Sequence, residues 1–155
     1  MRSAVNASIL LLTACVPADL RDQHASRVES YIPSAFSPAD AQYTDPNRGL
    51  GPPDGRTVAL DRSALLVLRF FRPIPNGPGP DLRVHELGED GAQAKIGVSE
   101  EGTVFMEFEG FAEGLTSDFD LEALGLSQAA FVRVRGLDQA GVEPGFDLDA
   151  LEALH

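Results

Sequence analysis

The chain has 155 residues, which is enough for one domain with its own hydrophobic core. Its formal net charge is -12, from 24 acidic and 12 basic residues. This charge argues against a nucleic-acid partner, because phosphate binding requires Lys and Arg. A single cysteine excludes an internal disulfide. Eleven prolines and fifteen glycines, with no tryptophan, favour many turns, as in an all-β domain.

The N-terminus has the form of a secretory signal. Arg2 is the only charge before Asp19, and residues 4–14 are mostly apolar or small, a run too short to span a bilayer. Leu12-Thr13-Ala14-Cys15 resembles the lipobox of bacterial lipoproteins. The resemblance implies that Cys15 is lipidated and becomes the mature N-terminus.

Three segments follow from this interpretation. We expect a lipoprotein signal peptide over 1–14, a lipidated tether over 15–27 with a solvated His24, and a β-sandwich domain over 28–155. The protein would then lie in the bacterial cell envelope, on the periplasmic face or the cell surface, with Cys15 as its membrane anchor.

The rest of the chain predicts short strands separated by turns. The spacing leaves no room for crossover helices, so we expect about eight antiparallel strands in a sandwich. A helical turn capped near Asp118 or Asp120 should interrupt them. The predicted strands are 27–31, 57–60, 64–71, 81–86, 94–98, 103–108, 129–137 and 146–154. The predicted core consists of Leu66, Leu68, Phe70, Leu82, Val84, Ile96, Val104, Met106, Phe108, Val132 and Val134.

Two acidic stretches stand where strands begin. Glu86 falls on the predicted core side of its strand and therefore needs a cation or hydrogen-bond donors. Asp147 and Asp149 are two residues apart, so their carboxylates share a face. Together with Asp81 they are candidate ligands for calcium, which prefers oxygen ligands. The alternative to a metal site is that Asp147 caps a loop and Asp149 is exposed. Other candidate calcium ligands are Asp45 and Asp54, in the loop before residue 58.

From about residue 28 to 154 the chain resembles bacterial secreted and cell-surface β-sandwich modules. These modules resemble the galactose-binding-like jelly roll of discoidin-type and carbohydrate-binding modules, which implies eight strands and often a structural calcium. The chain departs from the pattern at His85, where we expect an aromatic residue, and at Leu87, where we expect Asn. The blocks that carry the resemblance are Glu29–Pro33, Asp45-Pro46, Leu50–Gly55, Val58–Leu60, Leu66–Phe70, Gly77–Glu86, Val98–Gly102, Phe131–Val134 and Gly145–Glu152.

The sequence contains no identifiable catalytic constellation. Its three histidines, His24, His85 and His155, fit no triad or metal motif, so we predict that it is not an enzyme. We expect a lipid-anchored binding module for a glycan or a surface protein, stabilised by calcium, with its site in loops at one end of the sandwich. The alternative is a structural or assembly lipoprotein of the envelope without a small ligand. The absence of tryptophan and the presence of only Tyr31 and Tyr43 weaken the case for a glycan.

Overall fold

The computed structural model of the protein describes residues 22–34, 43–88, 91–137 and 145–155. The predicted signal peptide, Cys15 and the tether up to residue 21 lie outside these residues. The described residues form two stacked antiparallel sheets, so the predicted all-β sandwich is confirmed.

Nine strands occur in the described residues, one more than predicted. The five-stranded sheet has the order β1-β3-β8-β5-β6, and the four-stranded sheet has the order β2-β9-β4-β7. All the pairings are antiparallel. The strands are β1 (Ala25–Ile32), β2 (Val58–Leu60), β3 (Leu65–Pro75), β4 (Leu82–Glu86), β5 (Gln93–Ser99), β6 (Met106–Glu113), β7 (Thr116–Phe119), β8 (Gln128–Gly136) and β9 (Phe146–Ala153).

The core lies between the two sheets and is built by alternation along each strand. In the five-stranded sheet, Val132 of β8 pairs with Leu68 of β3 and Val98 of β5, and all three are fully buried. From the four-stranded sheet, Leu82 and Val84 of β4 close the core. Each such side chain contributes roughly 1.5–3 kcal/mol relative to its exposed state. Nine of the eleven predicted core residues are confirmed.

Val104 and Met106 were wrongly predicted to be in the core. Val104 is 75% exposed and Met106 is 41% exposed. The strand predicted over 103–108 starts late, because the loop after β5 is longer than expected and β6 begins only at Met106. Met106 pairs with the buried Val98 and lies on the same side of β6 as the buried Phe108. Met106 is the first residue of an edge strand, where fewer neighbours cover a side chain.

The N-terminal boundary of the domain also differs from the prediction. Residues 25–27, assigned to the tether, belong to β1, and the preceding His24 is buried rather than solvated. His24 forms a β-bridge with Glu152, and the Ala153 amide donates a hydrogen bond to the Gln23 carbonyl, 2.6 Å away. The last strand therefore holds the start of the domain, which sequence periodicity alone did not show.

The connector after β7 agrees with the prediction. Leu121–Leu124 form a 3-10 helical turn, and the Asp120 carboxylate caps it by accepting a hydrogen bond from the Glu122 amide at 2.9 Å. A second 3-10 turn spans Pro46–Gly49. In the part of the chain that the structure describes, no helix is long and apolar enough to cross a membrane.

Gly136, the last residue of β8, tests this packing. A Cβ at this position would collide with the backbone carbonyl groups of Leu60 and Asp61, which side-chain rotation does not relieve. We expect Gly136→Ala to lower the free energy of unfolding by about 3 kcal/mol, measured by urea denaturation. Gly110→Ala is the control, because a Cβ there meets nothing within 4 Å. Equal stability of the two variants would contradict the described packing of β8.

Candidate binding face

The two acidic stretches do meet, but not as one cluster. Strands β4 and β9 pair antiparallel, and Glu86 is opposite Leu148. Leu148 is the residue between Asp147 and Asp149 in the sequence. Asp81 lies beyond the other end of β4, where its carbonyl accepts a hydrogen bond from the Leu154 amide. The structure therefore brings Glu86 close to the start of β9 and leaves Asp81 at the opposite end of the strand pair.

Asp81 and Asp149 are buried and bind backbone amides. The Asp81 carboxylate accepts hydrogen bonds from the amides of Gly77, at 2.6 Å, and Leu121, at 2.8 Å, and so joins two loops. The Asp149 carboxylate accepts hydrogen bonds from the amides of Asp54 and Gly55, each at 3.2 Å. Asp149 is only 4% exposed, so the alternative in which it is a surface residue is wrong.

The other candidate ligands make local contacts. Asp45 caps the Pro46–Gly49 turn, and hydrogen bonds from the side chain and the amide of Asn47 lower the pKa of Asp45. Asp54 accepts a hydrogen bond from the Arg56 amide at 2.9 Å. Within the described ranges, no three Asp, Glu, His or Cys residues are grouped so as to hold a metal ion. Calcium and its ligand set therefore stay a prediction.

The outer surface of the five-stranded sheet carries cations and aromatic rings in neighbouring rows. Directly paired residues of adjacent strands share a face of the sheet. Arg69 pairs with Phe131, and Arg135 pairs with Lys95, which pairs in turn with Phe111. The core residues of these strands point the other way. We use the name basic face for the set Arg69, Lys95, Phe105, Phe111, Phe131, Arg133 and Arg135.

Three aromatic rings of the basic face each carry a cation. The Arg69 guanidinium lies 5.2 Å from the centroid of Phe131, and the Lys95 ammonium lies 4.7 Å from that of Phe111. Arg133 lies 4.7 Å from the centroid of Phe105, which belongs to the loop before β6. Such contacts contribute about 0.5–1 kcal/mol at exposed sites and fix the positions of the charged groups.

The basic face has more positive than negative charge. Glu107 accepts a hydrogen bond from Arg133 at 2.9 Å and lies 3.5 Å from the Arg135 guanidinium. No other described carboxylate forms an ion pair with a cation of this face. Pairing also places Arg27 and Glu113 on the outer surface of this sheet, so its paired positions carry five cations and two carboxylates in a chain whose net charge is -12.

The outer surface of the other sheet differs in this respect. There Arg83 forms a bidentate pair with Asp118, at 2.7 and 2.8 Å, which lowers the pKa of Asp118 and raises that of Arg83. His85 lies 2.8 Å from Glu152. Both basic groups already face a carboxylate, so this surface offers little free positive charge to a ligand.

A cleft of about 230 Å³ opens at one end of the sandwich, beside the loop between β5 and β6. This is the kind of place where the sequence predicted a binding site. Ser99 connects it to the basic face, because Ser99 pairs with Phe131. Its lining includes Val98, Ser99, Thr103, Val104, Met106 and Leu126.

Phe131, Arg133 and Arg135 alternate with the predicted core residues Val132 and Val134, but this alternation alone does not identify the basic face. The missing information was the register of that strand with its neighbours, which brings Arg69 and Lys95 beside it. The available signal was the row of outward cations in an acidic chain.

The sequence matches no protein-family model and no curated protein sequence. Its fold, however, resembles solved structures. A chitosan-binding module derived from a chitosanase/glucanase of Paenibacillus sp. IK-5 superposes with a TM-score of 0.55 at 15% identity, over 87% of this chain and 98% of that one. The CBM32 of AlyQ, in complex with 4,5-unsaturated mannuronic acid, superposes with a TM-score of 0.50 at 10% identity, over 84% and 98%.

A third structure is that of the longer protein SpGH29, with a TM-score of 0.52 and 16% identity. The match covers 87% of this chain but 28% of SpGH29. At these identities the likeness concerns the fold: the chain is a β-sandwich jelly roll of the kind found in carbohydrate-binding modules.

A substitution of Asp149 tests whether its carboxylate stabilises the fold by accepting hydrogen bonds from the amides of Asp54 and Gly55. We expect Asp149→Ala to lower the free energy of unfolding by about 2 kcal/mol in a chelator, because two backbone amides lose a buried acceptor. Asp54→Ala is the control. It should lower the free energy of unfolding less, because the hydrogen bond that the Asp54 side chain accepts from the Arg56 amide is exposed. Equal losses of unfolding free energy in the two variants would contradict a stabilising role for the buried hydrogen bonds of Asp149.

Thermal unfolding of the unmutated protein and of Asp149→Ala, with calcium and with a chelator, tests the calcium prediction. The sequence predicts that calcium raises the melting temperature of the unmutated protein by mass action and has no effect on Asp149→Ala. A melting temperature that does not respond to calcium would contradict the metal site. It would not contradict the hydrogen bonds that Asp149 accepts from backbone amides.

Proposed function

We propose that this protein is a non-catalytic glycan-binding module, held on the bacterial cell envelope by a lipid on Cys15, whose ligand lies on the basic face. The observation that carries the proposal is the cluster of fixed cations and rings on one open sheet surface. Its fold, shared with carbohydrate-binding modules, supports the glycan as ligand.

The dimensions of the basic face suit an extended ligand. Arg69 is in the row of residue 131, and Lys95 is in the row of residue 135. Four residues of strand separate these rows, which is roughly 14 Å at ~3.4 Å per residue. Gly97 lies between Arg133 and Glu107 in the middle row and presents no side chain. A chain of sugar rings that crosses the sheet here would meet cations along its length.

The lipid anchor rests on the lipobox resemblance and on the position of β1. Nine residues separate Cys15 from Ala25, where β1 begins. Gln23 and His24 already bind β9, so seven residues remain for the tether, which could reach at most roughly 26 Å from Cys15 to Gln23. Cys15→Ser should abolish lipid labelling of the protein, and unchanged labelling would contradict the anchor.

Gly97 tests the location of the site. We expect Gly97→Leu to weaken binding by about tenfold or more, because a leucine there fills the middle of the basic face beside Arg133 and Glu107. The measurement is affinity electrophoresis of the full chain in detergent through gels that contain neutral or acidic soluble polysaccharides. Thr116→Leu, an exposed position opposite His85 on the other sheet, is the matched control and should bind like the unmutated chain.

Two results would contradict the proposal. Binding that Gly97→Leu does not change would place the site elsewhere, for which the cleft beside Val104 and Met106 is the candidate. No retardation by any polysaccharide would contradict the glycan function and favour a structural lipoprotein.

A further inference from the structure

We infer that the ligand of the basic face is an acidic polysaccharide, whose carboxylates pair with Arg69, Lys95 and Arg135. This inference rests on the proposed function and adds the chemical class of the ligand. It is argued from the partners that each cation has within the described residues.

The four cations are not equally available to a ligand. Arg133 is committed to the protein, because it donates to Glu107 at 2.9 Å, packs on Phe105 and is 25% exposed. Arg135 shares the same carboxylate at the longer distance of 3.5 Å, and its side chain is 41% exposed. Arg135 therefore keeps most of its donors for an external acceptor.

Arg69 and Lys95 have no carboxylate partner among the described residues. Arg69 is exposed and makes its one described side-chain contact with the Phe131 ring. Lys95 donates to the carbonyls of Glu109 and Gly110, at 2.8 and 3.3 Å, so its positive charge is held in place but not neutralised. An anionic ligand would supply the counter-charge that these two groups lack.

The aromatic rings favour an acidic sugar over a neutral one. A neutral sugar would stack on a free ring face, but one face of each ring, Phe105, Phe111 and Phe131, already carries a cation of the protein. Gly102 packs against Phe131 as well, so closely that a Cβ there would lie 3.0 Å from the ring. The rings therefore position cations, and the cations make the contacts with the ligand.

Two other polyanions fit the basic face less well. Single-stranded nucleic acid gains much of its affinity by stacking bases on aromatic rings, and each of these rings already has a cation on one face. A planar anionic membrane would be repelled by all the acidic groups of the molecule that lie within a Debye length, about 8–10 Å, of the membrane surface. A single flexible polymer contacts the basic face alone and avoids most of the repulsion.

A pair of polymers that differ only in charge tests the inference. The full chain in detergent is titrated with polygalacturonate and with its fully methyl-esterified form, in a chelator and at low salt. We expect at least tenfold tighter binding to the free acid, with an affinity that falls as salt rises. Arg69→Gln and Arg135→Gln should each weaken binding to the acid by about tenfold. Arg56→Gln, an exposed loop arginine away from the basic face, should not change it.

The outcomes separate this inference from the proposed function. Equal binding of the acid and the ester overturns the acidic ligand and leaves glycan binding in place. Binding of neither polymer, with no other polysaccharide of the panel retained, overturns both. Binding of single-stranded oligonucleotide or of phosphatidylglycerol vesicles as tightly as polygalacturonate overturns the inference in favour of general polyanion binding. An effect of Arg56→Gln as large as that of Arg69→Gln would also contradict it.

Discussion

The pairing of β8 with β3 on one side and β5 on the other determines both the core and the basic face. Val132 and Val134 of β8 are buried between the sheets, while Phe131, Arg133 and Arg135 stand on the outside. A slip of one residue would exchange the two sets, placing arginines in the core. Burial of the apolar set therefore fixes the position of the charged set.

This arrangement explains how an acidic protein keeps a positive surface. Some carboxylates lie on the opposite sheet, where Asp118 and Glu152 face basic side chains. Others, such as Asp81 and Asp149, are buried and accept hydrogen bonds from backbone amides. Long-range repulsion from the net charge then opposes non-specific binding of polyanions, while short-range pairing at the basic face acts on a ligand already in contact.

The fold could be predicted from the sequence because most strands alternate cleanly. The pattern of β8 indicated its buried side correctly, and the apolar run of β3 is consistent with its place between β1 and β8. Prediction failed where a strand lies at an edge. Polar β7, Thr116–Phe119, gave no periodic signal, and β6 starts later than its apolar residues suggested.

The candidate site was predicted less well, for a physical reason. Sequence spacing shows which residues share a face of one strand, but the basic face is assembled across four strands by their register. The carboxylates at the two strand entries are candidate metal ligands by sequence, because buried acids need partners. Asp81 and Asp149 have those partners in loop amides far away in sequence, which a single sequence does not reveal.

The most direct test of this account is to map the bound ligand on the isotope-labelled protein by NMR. Polygalacturonate should shift the amide resonances of Val67, Gly97 and Arg133, which form the middle row of the basic face. Residues 100–104 and 126 at the end of the sandwich should change less. Shifts confined to that end, or to the outer surface around Arg83 and His85, would contradict the basic face as the binding site.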